Sequence, residues 1–437
     1  MRFNPRLFAM TALALLLTAP TVEAQKRTRK PPRPAKTPAR PVPTPDQVAI
    51  PPAVVVDERQ LYLNAARTAW TFVDRNYQPA TGFARAHDTY QYVTIWDIAG
   101  TLAATYSAHE LGLVTDPVYN QRMQRVLATL STMDLFDGAA FNKFYDSRNG
   151  KMVDRRQQPS SKGYGWSATD IGRLLTWLRI IAVNQPQFAP QATAIVQRLD
   201  MSRLITPDGY LQGADVDPQT GRLRAYAEGR MGYEQYAAAG LALWGHRAEQ
   251  ALDARINAVP ANVLGVSIVA DKRGNDRITS EPYIMMGMET GWYSPELREQ
   301  AWRVLAAQEA RYRSTGTITM VSEDALPDPP YYFYYYSLYR DGQPFVVDAH
   351  STLAAVNGPR WVSSKAAFAW HALLPTPYTL TALQAVQPSA IPGRGWGAGV
   401  YEGSLKPTGN ASLNGSALIL EAAVYNLRGH ALLATTL

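Results

Sequence analysis

Acidic side chains stand at the start of several apolar stretches in this 437-residue chain, where they could serve as an acid and a base. Cleavage of a glycosidic bond requires two carboxyl groups, one that donates a proton and one that acts as base or nucleophile. We predict Glu234 as the acid, because Tyr233, Gln235 and Tyr236 surround it with aromatic and hydrogen-bonding groups that suit a sugar. The predicted sources of the base are Asp97, Asp170, Glu281, Glu323 and Asp324.

The same carboxylates also have structural interpretations. Asp97 and Asp170 lie near predicted helix starts, where a carboxylate caps free amides and opposes the helix dipole. Asp170 precedes Arg173 by three residues, which is the spacing of an ion pair on a helix surface. Glu228 and Glu289 are further candidates, and Glu289 is equally consistent with a helix end. The sequence therefore leaves the acid–base pair open.

Aromatic residues accompany these acids. Ten Trp and 24 Tyr suit either a surface that stacks on ligands or an aromatic-rich core. The predicted substrate-binding residues are Trp96, Trp166, Tyr233, Tyr236, Arg230, Trp292, Tyr331 and Trp396. The aromatic run that begins at Tyr331 follows Glu323 and Asp324 closely, which is typical of a cleft wall but also of core packing.

Other chemistries lack their motifs. The six histidines are scattered, there is no cysteine, and no HExxH pattern occurs, so we expect neither a metal nor a cofactor. The chain also lacks a G-x-S-x-G elbow, a phosphate loop and a dinucleotide fingerprint. Asp215 and Asp217 could bind calcium, but the Pro-Gln-Thr-Gly that follows them favours a hairpin turn.

Apolar residues recur at helical spacing along most of the chain. The predicted helices are Asp57–Tyr77, Trp96–Leu111, Asp116–Leu130, Ser167–Val183, Pro190–Leu199, Tyr233–Trp244, Ala248–Ile256, Pro282–Met288, Pro295–Tyr312, Ser364–Leu374, Pro377–Val386 and Asn410–Leu427. Short strand signals fall between them, as a hairpin from Leu204–Asp215 to Arg222–Ala225 and as strands at Val263–Ala270 and Thr317–Val321.

The predicted helices alternate in character. Every second helix is apolar nearly all round, which indicates a buried position, and the others are amphipathic. Six inner and six outer helices predict an all-α fold, an (α/α)6 toroid with short β-hairpins in its loops. The starts of the inner helices would then converge at one end, so that carboxylates and aromatic rings from distant segments line one cavity.

The ends of the chain differ from this body. Arg2 and Arg6 followed by the apolar run Leu7–Leu17 predict a signal peptide at 1–24, although an uncleaved anchor is the alternative. Residues 25–56 are basic and proline-rich, which predicts a linker that is either solvated or in contact with an anionic envelope surface. We place the toroid at 57–437 and expect a periplasmic or secreted protein, with no transmembrane segment in the mature chain.

The net charge of +7 belongs to this N-terminal stretch. Residues 1–45 carry nine basic side chains and one acid, a net charge of +8, so residues 46–437 carry −1. A nearly neutral body argues against a nucleic-acid partner and suits an uncharged oligo- or polysaccharide.

Blocks of residues spread over about 60–428 resemble the DUF3131 family of exported bacterial proteins, which is related to the six-hairpin glycosidases. The resemblance rests on Thr94–Gly100, Gly165–Leu175, Gly232–Gly240, Glu281–Tyr283, Val321–Asp324, Ser363–Trp370, Gly395–Glu402, Asn414 and Ile419–Glu421. At 410–416 the chain has Asn-Ala-Ser-Leu-Asn-Gly-Ser, a departure from the Thr-Asn-Thr-Asn-like run of the family. The resemblance implies an (α/α)6 toroid and a role connected with glycans, but it supplies no catalytic pair.

Taken together, these features predict a glycoside hydrolase that cleaves an exopolysaccharide or a β-glucan. Two alternatives stay open. One is a non-catalytic protein that binds glycans or assists polysaccharide assembly on the same toroid. The other is a polysaccharide lyase, in which a tyrosine is the base and Arg230 neutralises a uronate.

Overall fold

The computed structural model describes residues 57–274, 276–329, 333–349 and 354–433. All of them belong to one compact unit, Val56–Leu437. The predicted signal peptide at 1–24, the whole linker at 25–56, and Tyr331 lie outside the described residues. No helix in the described part is long and apolar enough to cross a membrane.

Twelve α-helices form within these ranges, each close to a predicted position. They are α1 Glu58–Asn76, α2 Ile95–Glu110, α3 Asp116–Thr132, α4 Ala168–Asn184, α5 Ala189–Gln197, α6 Tyr233–Ala242, α7 Glu249–Leu252, α8 Glu281–Glu289, α9 Pro295–Thr315, α10 Ser364–Leu373, α11 Pro377–Ala385 and α12 Leu413–Arg428. Side chains cap several of the starts: Thr94 and Ser167 each accept a hydrogen bond of 3.1 Å from an amide three residues ahead.

The even-numbered helices form a closed ring. Contacts join α2 to α4, α4 to α6, α6 to α8, α8 to α10, α10 to α12, and α12 back to α2. The odd-numbered helices pack outside, with α1 against α12 and α2, and α3, α5, α7, α9 and α11 each against the preceding inner helix. This arrangement is an (α/α)6 toroid, as the alternation of apolar and amphipathic helices predicts.

Small residues allow the inner helices to approach closely. A side chain added at Gly172 of α4 would place its Cβ 2.6 Å from the Cα atom of Ala237 in α6. A side chain at Gly240 of α6 would meet the carbonyl oxygen of Gly172 at 2.1 Å. Glycine at both positions therefore sets the spacing between these two inner helices.

The strands are short and lie in the loops. They are β1 Tyr92–Thr94, β2 Leu135–Phe136, β3 Ala140–Phe141, β4 Phe144–Asp146, β5 Gly165–Trp166, β6 Gln212–Val216, β7 Leu223–Ala227, β8 Ala258–Val263, β9 Val266–Asp271, β10 Glu323–Ala325, β11 Phe333–Arg340, β12 Gln343–Ala349, β13 Ala354–Ala355, β14 Trp361–Ser363, β15 Ala390–Ile391, β16 Gly395–Trp396 and β17 Gly399–Tyr401. The largest sheet has four strands, in the order β10-β11-β12-β13.

Three strand predictions can be compared with this arrangement. The strand predicted at Val263–Ala270 corresponds to β9, Val266–Asp271. The hairpin around Asp217 is confirmed as β6 and β7, and the Asp217 carboxylate accepts hydrogen bonds from the amides of Gln219 and Thr220 within the turn. The strand predicted at Thr317–Val321 is wrong. That segment is irregular, and the Val321 amide donates to the side chain of Gln308 on α9 instead of to a neighbouring strand.

Candidate active site

The starts of the inner helices converge, and hydrogen bonds connect them. Asn414, at the start of α12, accepts from the Trp96 indole of α2 at 3.2 Å and donates to Glu281 of α8 at 2.7 Å. Lys365, in the first turn of α10, forms an ion pair with the same Glu281 carboxylate. Polar side chains from four of the six inner helices, α2, α8, α10 and α12, thus meet at one end of the ring.

A buried group of acids surrounds Lys365. Its ammonium lies 3.5 Å from Asp324 and donates to the backbone carbonyl of Glu323, and its side chain is only 2% exposed. Burial disfavours the ammonium, but Asp324 and Glu281 outweigh this effect and raise the pKa of Lys365. Burial raises the pKa of both Glu323 and Asp324. One buried cation therefore holds two carboxylates, Glu281 and Asp324, and the backbone carbonyl of Glu323, and we call these four residues the Lys365 cluster.

A second group of acids surrounds the Ser167 hydroxyl. This hydroxyl lies 3.1 Å from Asp170 Oδ1 and 3.2 Å from Glu228 Oε2, and the Thr169 amide donates to Glu228 at 2.7 Å. Burial and the neighbouring charge of Glu228 raise the pKa of Asp170 to about 7. Burial also raises the pKa of Glu228. We call Ser167, Asp170 and Glu228 the Ser167 cluster, and it contains a carboxyl group that is half protonated near neutral pH.

The two clusters face the same pair of residues. Glu323 on β10 lies directly opposite Tyr335 on β11 in the antiparallel register. The Arg230 guanidinium lies 5.0 Å from the Tyr335 ring and 4.3 Å from the Tyr233 ring. The pKa of the Tyr335 hydroxyl is raised well above the usual range. The main cause is burial, followed by the charge of Glu323 and, more weakly, that of Asp170. Arg230 and Tyr335 therefore each interact electrostatically with a carboxyl group of both clusters.

Aromatic rings form the floor beside these groups. The partly exposed Trp96 ring has Tyr233 at 5.8 Å and Tyr236 at 6.0 Å, and Arg173 lies 4.5 Å from its centre. The Tyr236 hydroxyl is directed below the floor, where it donates to Glu289 at 2.7 Å. Trp96 is thus the predicted platform best placed to contact a ligand.

A fully buried acid pair lies beneath that floor. Glu289 and Glu421 share this layer with Arg173, whose guanidinium is 3.7 Å from Glu421. Burial and the charge of Glu289 raise the pKa of Glu421 well above its ordinary value. Glu289 is the last residue of α8, as its helix-end interpretation requires, and it accepts from the Trp177 indole at 3.0 Å inside the ring.

Glu234, the predicted acid, lies outside both clusters. Its carboxylate accepts hydrogen bonds of 3.2 and 2.5 Å from Arg273, and its side chain is 1% exposed. Tyr233 and Tyr236 are three residues apart and occupy the floor, whereas Glu234 lies about 100° away around the helix. This geometry gives Glu234 a structural role and removes our reason for naming it the acid.

Several other predicted residues also have structural surroundings. The Asp97 carboxylate accepts from the Thr94 amide and hydroxyl at 2.9 Å, which is the capping role that its position allowed. Trp166 and Trp396 are 2% and 4% exposed, and their indoles donate to the carbonyls of Gln212 and Ala65. Trp292 follows the carboxyl end of α8, and its indole packs back along that helix and donates to the Tyr283 carbonyl at 2.8 Å.

The sequence analysis assigned no role to Ser167, Lys365, Tyr335 or Asn414. Two sequence features could have pointed to site residues. Ser167 is a serine at the start of an inner helix, and Lys365 is a lysine within an otherwise apolar helix. Across the described residues, no three histidine, aspartate or glutamate side chains are grouped so that they could hold a metal ion.

Comparison with known proteins agrees with this architecture. The chain belongs to the DUF3131 family, described as a protein of unknown function, which matches residues 64–429. No curated protein matches the sequence.

Solved structures with the same fold have little sequence identity with this chain. A protein from Bacteroides caccae proposed to be a glucoamylase is 15% identical, with a TM-score of 0.62 over 85% of this chain and 94% of its own. An endo-β-1,2-glucanase from Chitinophaga pinensis, in complex with sophorotriose and glucose, is 12% identical, with a TM-score of 0.60 over 85% and 93%. An endo-β-1,2-glucanase from Talaromyces funiculosus, in complex with sophorose, is 10% identical, with a TM-score of 0.58 over 85% of each chain.

Proposed function

We propose that this protein is a glycoside hydrolase that cleaves a β-linked glucan at the end of the toroid where the two acid clusters meet. The observation that carries the proposal is the pairing of a carboxyl group of pKa about 7, Asp170, with a separate group of acids across Arg230 and Tyr335. Two carboxyl groups in different environments are what glycoside hydrolysis requires.

Asp170 is the proposed general acid. A group whose pKa lies near the working pH is protonated often enough to donate and is acidic enough to do so readily. Glu228 shares the Ser167 hydroxyl with Asp170, and its negative charge helps to keep that proton in place. The acid then delivers its proton to the glycosidic oxygen as the bond to the sugar breaks.

Glu323 is the proposed base or nucleophile. Within the Lys365 cluster, Glu281 is held by Lys365 and Asn414, and Asp324 is held by Lys365 and the Trp361 indole. Glu323 contributes its backbone carbonyl to Lys365, while its carboxyl group interacts with Arg230 and Tyr335. It is also the most exposed of the three, at 8%.

The substrate class follows from the site and from the similar structures. Trp96 offers an indole to a sugar ring, and the body of the chain is nearly neutral. Sophorotriose and sophorose occupy two structures of the same fold. A linear β-1,2-glucan is therefore the first substrate to test, followed by exopolysaccharides. We further propose export through a signal peptide at 1–24, supported by its charged and apolar segments.

The lyase alternative needs a tyrosine that acts as a base, and the protonation state of Tyr335 disfavours it. Tyr335 lies beside Arg230, as a lyase would require, but burial and Glu323 raise its pKa and keep the hydroxyl protonated. A lyase would release an unsaturated uronate that absorbs ultraviolet light, whereas a hydrolase releases saturated oligosaccharides.

The test is incubation of the purified protein with β-1,2-glucan and a glycan panel, followed by chromatography of the released sugars. We expect cleavage by the wild type and its loss in Asp170→Asn and Glu323→Gln, with Glu234→Gln as the matched control that remains active. A protein that binds a glycan but releases no product would establish the non-catalytic alternative.

A further inference from the structure

A groove at the other end of the toroid has no part in the proposed reaction. It has a volume of about 460 Å³, and its walls include Trp292, Tyr293 and Trp302 together with Arg298 and Glu299. We call it the aromatic groove. It lies after the carboxyl end of α8, whereas Glu281 begins that helix, and nine residues of α-helix span about 13 Å. The groove therefore opens at the carboxyl end of α8, opposite the end that carries Glu281, and the Trp292 indole reaches back along the helix to the Tyr283 carbonyl.

Two of the aromatic rings are fixed before any ligand arrives. The Trp292 indole donates to the Tyr283 carbonyl at 2.8 Å and occupies the space left by Gly287, where an added Cβ would lie 2.6 Å from the ring. The Tyr293 hydroxyl donates to the Leu252 carbonyl at 2.9 Å. Rings held in this way lose little conformational entropy on binding.

The backbone at Trp292 is also unusual. Its φ angle is +50°, in the left-handed region that a bulky side chain rarely adopts. Such conformations are retained where surrounding contacts hold them, and they concentrate at ligand sites. The conformation, together with the hydrogen bond to Tyr283, holds this tryptophan at the groove.

The third ring is open to solvent. Trp302 is 49% exposed and is the only aromatic residue within the described ranges that belongs to the exposed class. It lies on the same face of α9 as Arg298 and Glu299, which precede it by four and three residues. Arg298 makes no ion pair with any residue that the structure describes. The face therefore combines an exposed indole with an unpaired guanidinium.

We propose that the aromatic groove is a second glucan-binding site, which holds a distant part of the polymer while the acid clusters act on another. This inference rests on the proposed function. Indole rings would stack on the apolar faces of pyranose rings, and Arg298 and Glu299 would bind their hydroxyl groups. The volume falls within the range of about 300–1,000 Å³ typical of small-ligand sites. Eight lining residues are too few for a stable protein interface, which uses about 20–30 on each side.

Affinity electrophoresis through gels that contain soluble linear β-1,2-glucan tests this site without requiring cleavage. All proteins carry Asp170→Asn, so that the polymer stays intact. We expect Trp302→Ala to weaken the apparent Kd at least fivefold and Arg298→Ala to weaken it less. Val118→Ala, an exposed apolar residue on the outer helix α3, should bind like its parent. An unchanged Kd in Trp302→Ala would overturn the proposal.

Hydrolysis of a short substrate separates this proposal from the proposed function. In the otherwise wild-type protein, Trp302→Ala should leave kcat/KM for sophorotriose unchanged, because a trisaccharide in the active site cannot reach the groove. An equal loss on trisaccharide and polymer would contradict a separate site. If the wild type cleaves no glucan but Trp302→Ala still loses binding, the proposed function is contradicted, whereas the groove remains supported as a glucan-binding site.

Discussion

The Nδ2 atom of Asn414 donates a hydrogen bond of 2.7 Å to the Glu281 carboxylate and so connects the last inner helix with the fourth. The Oδ1 atom of the same amide accepts from Trp96 and from Arg173. One side chain thereby fixes Trp96 relative to the Lys365 cluster. The distance between the aromatic floor and the acidic side chains is consequently set by the ring of inner helices and not by a mobile loop.

Asp170→Asn should lower kcat by about 10²–10⁴-fold, which is the usual contribution of a general acid. The amide keeps the shape of the side chain but cannot donate the proton to the leaving oxygen. Initial rates on β-1,2-glucan measure the effect, and circular dichroism checks that the variant is folded. Wild-type kcat in this variant would exclude Asp170 as the acid.

The pH profile should identify the neighbour that tunes this acid. Because the acid must be protonated, kcat/KM should fall as the pH rises through about 7. The charge of Glu228 raises the pKa of Asp170, so Glu228→Gln should lower that pKa and move the alkaline limb to lower pH. A limb that stays in place would show that Glu228 does not act on the titrating group.

Trp96→Ala should raise KM by about tenfold, since loss of an aromatic contact costs about 0.5–1.5 kcal/mol beyond the buried area. Trp396→Phe is the matched control, because its indole lies in the core and donates to Ala65. We expect that control to reduce the melting temperature and to leave KM unchanged. Equal KM values for wild type and Trp96→Ala would remove Trp96 from the binding surface.

Lys365→Met should destabilise the fold by about 3–5 kcal/mol, because it leaves Glu281 and Asp324 buried without their cation. Chemical denaturation measures the free energy of unfolding. Lys151→Met, at an exposed lysine, should change it by less than about 0.5 kcal/mol. Similar unfolding midpoints for the two variants would contradict the electrostatic role of Lys365.

Glu421→Gln should weaken the dependence of stability on pH. Burial and Glu289 raise the pKa of Glu421 in the folded state, so its contribution is complete below the unfolded pKa and is lost as the pH rises towards the folded pKa. The variant should therefore match or exceed the wild-type melting temperature at pH 8 and lose any advantage at pH 5. A difference between the two proteins that is independent of pH would argue against a buried, proton-sharing pair.

The helices and the toroid were predictable because each inner helix is apolar all round. Such a helix is expected to be buried whichever elements pack against it. The positions of Trp96, Asp170 and Glu281 at the converging ends of the inner helices were predictable because they stand at the starts of such helices. The pairing of Glu234 with Arg273 was not predictable, since its tyrosine neighbours in sequence lie on another face of α6 and Arg273 is 39 residues away. Lys365 stood out as a lysine within an apolar helix, but its partners could not be predicted, because its carboxylates come from α8 and β10.

The closed ring also determines when the site can form. Trp96 and Asn414 are separated by 318 residues, so the floor of the site depends on one of the longest loop closures in the chain. A growing polypeptide can pair its early helices, but it completes the cavity only when α12 has been synthesised. Contacts of such high sequence separation slow folding, and any fragment that ends before Leu413 lacks Asn414, the side chain that links Trp96 to Glu281.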